Sequence, residues 1–250
     1  MDYRTSDQIT HGAFSTRSSE RSSDRSSDRL SPAWEDYLKA IFELTAEKQR
    51  ATTNEIARQM EVAPASATIM IQKMAGCQPP LLEYQKHQGV TLTPQGRSIA
   101  LEVIRHHRLL ETFLQQVLGY SWDQVHPEAD RLEHVITEEF EERMAQILGD
   151  PSVDPHGEPI PDKDLRMDTA EPRLLSDLRP GDRAVVIKVK PKEDDLLRYL
   201  SEIGLVLDAQ VTIAAYSSFD GNLTLHIDDN PQPVTLGERI TQRVFVRVKG

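Results

Sequence analysis

Residues 125–134, Val-His-Pro-Glu-Ala-Asp-Arg-Leu-Glu-His, constrain this chain more than any other stretch. Proline is favoured at the first position of a helix, and Pro127 follows His126. Wound as a helix, positions 126, 130, 133 and 134 fall within roughly a 100° stripe. His126, Asp130, Glu133 and His134 therefore crowd one side of a short segment. Ala129, Leu132, Ile136, Phe140, Met144 and Ile147 continue at helical spacing as a neighbouring apolar stripe. Two imidazoles and two carboxylates along the edge of a buried face suggest a divalent metal site. The plainer alternative is a solvated helix face, which the rest of the chain disfavours.

Charge is concentrated around this stretch. The net charge of −11 divides into 0 for residues 1–30, 0 for 31–100, −10 for 101–170 and −1 for 171–250. An acidic middle suits cations, and a neutral first segment leaves nucleic-acid binding open. The single cysteine, Cys77, excludes an internal disulfide framework. No apolar run approaches the ~20 residues of a membrane helix, and no signal-peptide core is present, so a cytoplasmic protein without membrane partners is expected. Residues 1–30, with their Ser-Ser-Glu-Arg and Ser-Ser-Asp-Arg repeats, read as a disordered tail.

Ser31-Pro32 opens a helix with Tyr37, Leu38, Ile41, Phe42 and Leu44 at apolar spacing and Asp36 near its start. Thr52 and Glu55 form a capping-box pattern before Ile56, Ala57 and Met60. A short turn leads to Pro64, which begins another helix. In that helix Ala67, Ile71 and Met74 point inward, while Ala65, Ser66, Thr68, Ile69, Gln72 and Lys73 are candidates to meet DNA. This is a helix-turn-helix pattern, whose second helix enters the major groove. Strand-like Leu81–Tyr84 and Val90–Leu92 flank Lys86, His87 and Gln88, which could reach phosphate or the minor groove. A hairpin there makes a winged helix-turn-helix, and its low charge favours a homodimer on a palindromic operator.

Thr93-Pro94 starts a long helix that Gly119 stops. His107 and Glu111, one turn apart, can face the same ion. Antiparallel packing would bring them to the 125–134 segment.

The winged helix, the His-Arg-Leu-Leu-Glu run at 107–111, the 125–134 segment and Asp154–Pro161 together resemble the diphtheria toxin repressor family of metal-dependent regulators. The resemblance covers roughly residues 31–165. It implies an ancillary site of His107, Glu111 and His126, and a primary site of Asp36, Asp130, Glu133 and His134. It also implies repression of divalent-metal transport genes. Iron-responsive members carry methionine and cysteine where Asp36 and Asp130 stand, whereas manganese-responsive members carry acids. Hard oxygen and imidazole donors favour manganese, with iron next. Lys39, one turn after Asp36, departs from the manganese pattern.

Residues 150–172 read as a proline-rich linker. Residues 173–250 read as strands around a short helix at Leu196–Ile203, similar to the SH3-like domain of longer family members. Glu193, Asp194 and Asp195 lie near the place where that domain can lend a ligand, although a solvated acidic loop explains them equally well. The expected architecture is α+β: a winged helix-turn-helix over 31–97, a helical metal-binding and dimerisation domain over 98–149, and a C-terminal SH3-like β-barrel. A dimetal enzyme is the competing class. It is disfavoured because Arg131 stands three residues before His134, where a Glu-x-x-His pair needs glutamate. A metal-independent winged-helix regulator is a further alternative.

Overall fold

A computed structural model describes residues 30–46, 48–167, 172–190, 194–228 and 230–249, with Asp194 placed by its backbone alone. Residues 1–29 of the tail expected over 1–30, and Glu193, lie outside the described residues.

The first domain is built from α1 (Pro32–Ala46), α2 (Thr53–Gln59), α3 (Pro64–Gly76), β1 (Leu82–Gln85) and β2 (Gly89–Leu92). Thr52 caps α2 with both halves of the capping box formed. Pro64 starts α3, whose Ala67, Ile71 and Met74 are buried with Leu38 and Ile41 of α1 and Ile56 of α2. β1 and β2 pair antiparallel, with Tyr84 opposite Val90. Lys86, His87 and Gln88 are exposed at the tip of this hairpin, as expected for a wing.

Helix α4 (Pro94–Gln116) begins beneath this domain and runs into the next. Thr93 caps it by accepting from the Gly96 amide. A Cβ at Gly96 would lie 2.1 Å from the Leu81 carbonyl oxygen, so only glycine permits this close entry. Leu109, Leu110 and Leu114 of α4 pack with Val125 and Ala129 of α5 (Val125–Leu132) and with Met144 and Ala145 of α6 (Glu138–Leu148).

The apolar stripe read as continuous from Ala129 to Ile147 is broken. α5 ends at Leu132, and α6 starts after Thr137, whose hydroxyl accepts from the Phe140 amide. Glu138, Glu139 and Glu141 occupy the first turn of α6, where the helix dipole favours acids. The break rotates Phe140 and Ile147 outward, to 45% and 66% exposure, instead of into the core.

Residues 154–161, expected within a linker, are packed. Asp154, Pro155, His156, Gly157, Ile160 and Pro161 are buried. Arg105 of α4 donates to the Pro161 carbonyl, and the Val189 amide donates to the His156 carbonyl. Gly157 has φ +83°, and a Cβ there would lie 2.1 Å from the Ile187 carbonyl oxygen.

The last domain contains β3 (Arg173–Leu174), β4 (Arg183–Val189), α7 (Asp194–Glu202), β5 (Gln210–Tyr216), β6 (Leu223–Ile227), β7 (Val234–Leu236), α8 (Glu238–Thr241) and β8 (Val244–Val248). The strands form a six-stranded sheet in the order β3-β8-β4-β5-β6-β7, all pairs antiparallel. Leu197 and Leu200 of α7 close its core, which also takes in Trp122 from the α4–α5 connection. The whole is an α+β chain of winged helix, helical domain and SH3-like domain.

Candidate metal centre

Among the described residues, four groups of imidazole and carboxylate donors converge, within each group, to atoms within 4.8 Å of one another. The first joins His107 and Glu111 of α4 to His126 of α5. His107 Nε2 and His126 Nδ1 lie 3.0 and 2.9 Å from Glu111 Oε1 and 2.9 Å from each other. The i, i+4 spacing on α4 sets the first pair, and α5 packing against α4 adds the third donor.

The second group joins Asp36 of α1 to Glu133 and His134, at and just beyond the end of α5. His134 Nε2 lies 2.9 Å from Asp36 Oδ1 and 3.5 Å from Glu133 Oε1. Its other nitrogen, Nδ1, lies 2.6 Å from Glu35 Oε2. An imidazole that donates one N–H to a carboxylate presents the opposite lone pair to an ion. Glu35 therefore orients His134, a role that sequence reasoning did not assign. Its position beside Asp36 in the first turn of α1 was the only signal.

The third group joins His107 Nδ1, Asp130 and Glu133, with Asp130 Oδ1 at 3.3 Å and Glu133 Oε2 at 2.5 Å from the nitrogen. Lys39 Nζ sits among them. The fourth group, fully buried, joins Glu111 to Asp154 and His156, with His156 Nδ1 at 3.6 Å from Glu111 Oε2. Asp154 and His156 were legible only as part of a motif. Asp154 Oδ1 accepts from the amides of His156 and Glu158, so it is committed to the turn. His156 stacks on Trp122 at 5.6 Å. All seven sequence-predicted donors thus fall within the first three groups. Asp195 pairs with Arg198 and belongs to none of the four.

Electrostatics tie these groups together. Burial works against a charged His107, but the Glu111 carboxylate and hydrogen bonds to Glu111 and Glu133 outweigh it and lift its pKa to about 9. Burial likewise opposes ionised Glu111, yet the neighbouring histidines hold it well below the usual carboxylate range. Glu133 and Asp130 are also lowered: burial raises them, and His107 and Lys39 overcome it. Asp36 moves upward, chiefly through burial. Asp154 is pushed up to about 7 by burial and by the Glu111 charge.

The donor set fits a divalent first-row ion. Metal–ligand bonds of about 2.1 Å place neighbouring ligands of an octahedron roughly 3.0 Å apart. The first group's spacings of 2.9–3.0 Å match this. Oxygen and imidazole without thiolate is the donor chemistry of harder ions.

On α3, Ala65, Ser66, Ile69, Gln72 and Lys73 are exposed, Ile69 to 55%. Thr68 is half-buried, and its hydroxyl donates to the Pro64 carbonyl, which leaves the methyl as its outward contact. These residues share the outer side of the second helix of the helix-turn-helix.

Residues 29–90 match the family of iron dependent repressor N-terminal DNA binding domains, and 93–162 match the iron dependent repressor metal binding and dimerisation domain. Residues 173–248 match the FeoA domain. The iron-dependent repressor IdeR of Mycobacterium leprae (strain TN) is 31% identical over 224 residues, spanning 85% of this chain and 95% of that protein. The diphtheria toxin repressor of Corynebacterium diphtheriae is 35% identical over 130 residues, 52% of this chain and 57% of that protein. A manganese-dependent transcriptional repressor solved in complex with manganese superposes with TM-score 0.78 at 37% identity, covering 86% of this chain and all of that one. The chain therefore belongs to the iron-dependent, or diphtheria toxin, repressor family of metal-dependent DNA-binding transcriptional regulators.

Proposed function

We propose that the chain is a homodimeric repressor that binds a palindromic operator when loaded with divalent metal, manganese first and iron next. The observation that carries this reading is the second donor group. Asp36 stands on α1 of the DNA-binding domain, whereas Glu133 and His134 belong to the helical domain. A bound divalent cation supplies the positive charge that lets Asp36 and Glu133 approach without repulsion. His134, oriented by Glu35, contributes a neutral donor. With α1 held to α5 at this point, the two recognition helices of a dimer keep one spacing. Coupling between such sites is typically ~1–3 kcal/mol. His107, Glu111 and His126 form an ancillary site that braces α4 against α5.

Manganese is favoured over iron because Asp36 offers the second group a carboxylate where a softer ion would prefer sulfur. Ala65, Ser66, Thr68, Ile69, Gln72 and Lys73 face the bases, and Lys86, His87 and Gln88 reach the backbone or minor groove. Dimerisation is supported by α6, whose Phe140 and Ile147 project outward seven residues apart on the same side. Divalent-metal uptake genes are the expected targets. A regulator acting on chromosomal DNA works in the cytoplasm, and among the described residues no helix is long and apolar enough to cross a membrane.

The test is selection from a random duplex pool with Mn²⁺, with Fe²⁺ under anaerobic conditions, and with chelator. A palindrome enriched only with metal is the expected result. Equal enrichment with chelator removes the metal switch. No enrichment in any arm removes the DNA-binding reading. Glu133→Ala and His134→Ala should abolish the metal dependence; a normal response from both would refute the site assignment.

A further inference from the structure

Lys39 enters the third donor group as a cation. Its Nζ lies 3.0 Å from His107 Nδ1, 3.2 Å from Asp130 Oδ1, and 2.9 and 3.1 Å from the two oxygens of Glu133. The Lys39 side chain is 14% exposed and that of Glu133 1% exposed. This is not a surface ion pair, which would be solvated and exchangeable. The ammonium stands where an ion bound to those three residues would have to stand. Metal–ligand bonds of about 2.1 Å to the same atoms would place that ion in steric and charge conflict with Nζ.

Glu133 belongs to both the second and third groups. Oε1 faces His134 at 3.5 Å, while Oε2 faces His107 at 2.5 Å. A carboxylate whose two oxygens serve adjacent donor groups is laid out to bridge two ions, which in such sites sit about 3.5–4 Å apart. Here one half of that layout is filled by a side chain. The three facing side chains come from α4, from α5 and from its C-terminal end, while Lys39 comes from α1, one turn after Asp36.

We propose that Lys39 is a resident cation. It fills the His107–Asp130–Glu133 group, so the chain loads divalent ions singly into the first and second groups and does not form a Glu133-bridged pair. Two consequences follow from its contacts. Lys39 joins α1 to the end of α5 without metal, which gives the metal-free protein part of the tether that metal completes. It also occupies the Nδ1 side of His107 and leaves Nε2 facing Glu111 and His126. This inference rests on the metal-ligand reading above.

The test uses the full-length, metal-stripped chain titrated with Mn²⁺, with bound metal counted after gel filtration and the ions observed by electron paramagnetic resonance. The wild-type chain should show the hyperfine-split signal of isolated Mn²⁺ at every loading. Lys39→Gln removes the charge at similar reach. It should take up an additional ion, and part of the signal should disappear through exchange coupling across Glu133. Lys39→Met serves as a second opening variant should the glutamine protein not fold, as judged by circular dichroism. An exchange-coupled pair in the wild type would overturn the Lys39 assignment and leave the repressor reading standing. So would a folded variant indistinguishable from wild type in both metal content and spectrum. No saturable Mn²⁺ uptake by the wild type would instead refute the metal-ligand reading itself.

Discussion

Glu35 Oε2 lies 2.6 Å from His134 Nδ1, although 99 positions of sequence separate the two residues. The contact joins the first turn of the first DNA-binding helix to the end of α5. It leaves His134 Nε2 facing Asp36 and Glu133. Glu35→Gln should therefore lower Mn²⁺ affinity of the second group by about 10–100-fold, the usual cost of losing a partner that orients a ligating histidine. Isothermal titration should resolve this as a weakened class of sites, with circular dichroism unchanged. An affinity equal to wild type would show that Glu35 does not orient the ligand.

The raised pKa of His107 makes the metal-free protein sensitive to alkali. Its ordinary value of 6.5 is lifted to about 9 in the folded state, so the folded state holds the proton more tightly. That stabilisation is fully present below pH 6.5 and is lost as pH rises through about 9. The difference in melting temperature between chelated wild type and His107→Gln should shrink across this window. Metal binding has the opposite sense, because ligation requires a neutral imidazole. Mn²⁺ affinity should accordingly rise over the same range, with proton release seen as a buffer-dependent heat. A pH-independent melting difference would contradict the assignment of this proton to His107.

The exposed side of α3 and the wing should separate by their effects on DNA. Gln72→Ala removes a side chain able to pair with a base edge. It should cost about 1–3 kcal/mol on the preferred operator and relax sequence choice at one position. Lys86→Ala should weaken binding equally on all sequences and reduce the salt slope by about 1. Fluorescence anisotropy over a salt series measures both. Loss of sequence choice from Lys86→Ala, with none from Gln72→Ala, would reverse the assigned roles.

Phe140 and Ile147 should lie at a subunit contact. Replacing both with aspartate puts charge where apolar surface is to be buried. The double variant should sediment as a monomer, with cooperative thermal unfolding retained because neither side chain belongs to the core. Metal-dependent DNA binding should fall with it. An unchanged dimer would move the interface elsewhere.

Much of the local structure was written in short-range patterns. The Thr52–Glu55 capping box, Pro64 and Pro94 at helix starts, the paired wing strands and the His107–Glu111 spacing each depend on residues a few positions apart. These predicted the winged helix, the long α4 and the donor stretch on α5. The break before α6 also had a local mark, Thr137 followed by Glu138 and Glu139. Helical periodicity running through it concealed the turn, and so misplaced Phe140 and Ile147 in the core.

Tertiary packing alone decided the rest of the site. By itself, the sequence specified which donors exist and which pairs share a helix face. It left open that Glu35 would support His134, that Asp154 and His156 would fold in beside Glu111, and that Lys39 would reach Glu133 from 94 positions away. The physical reason is one of range. Helix and turn signals act between neighbours, whereas the position of a charged side chain depends on how α1, α4 and α5 cross. Burial then determines its partners, because a charge withdrawn from water must be matched by hydrogen bonds or an opposite charge.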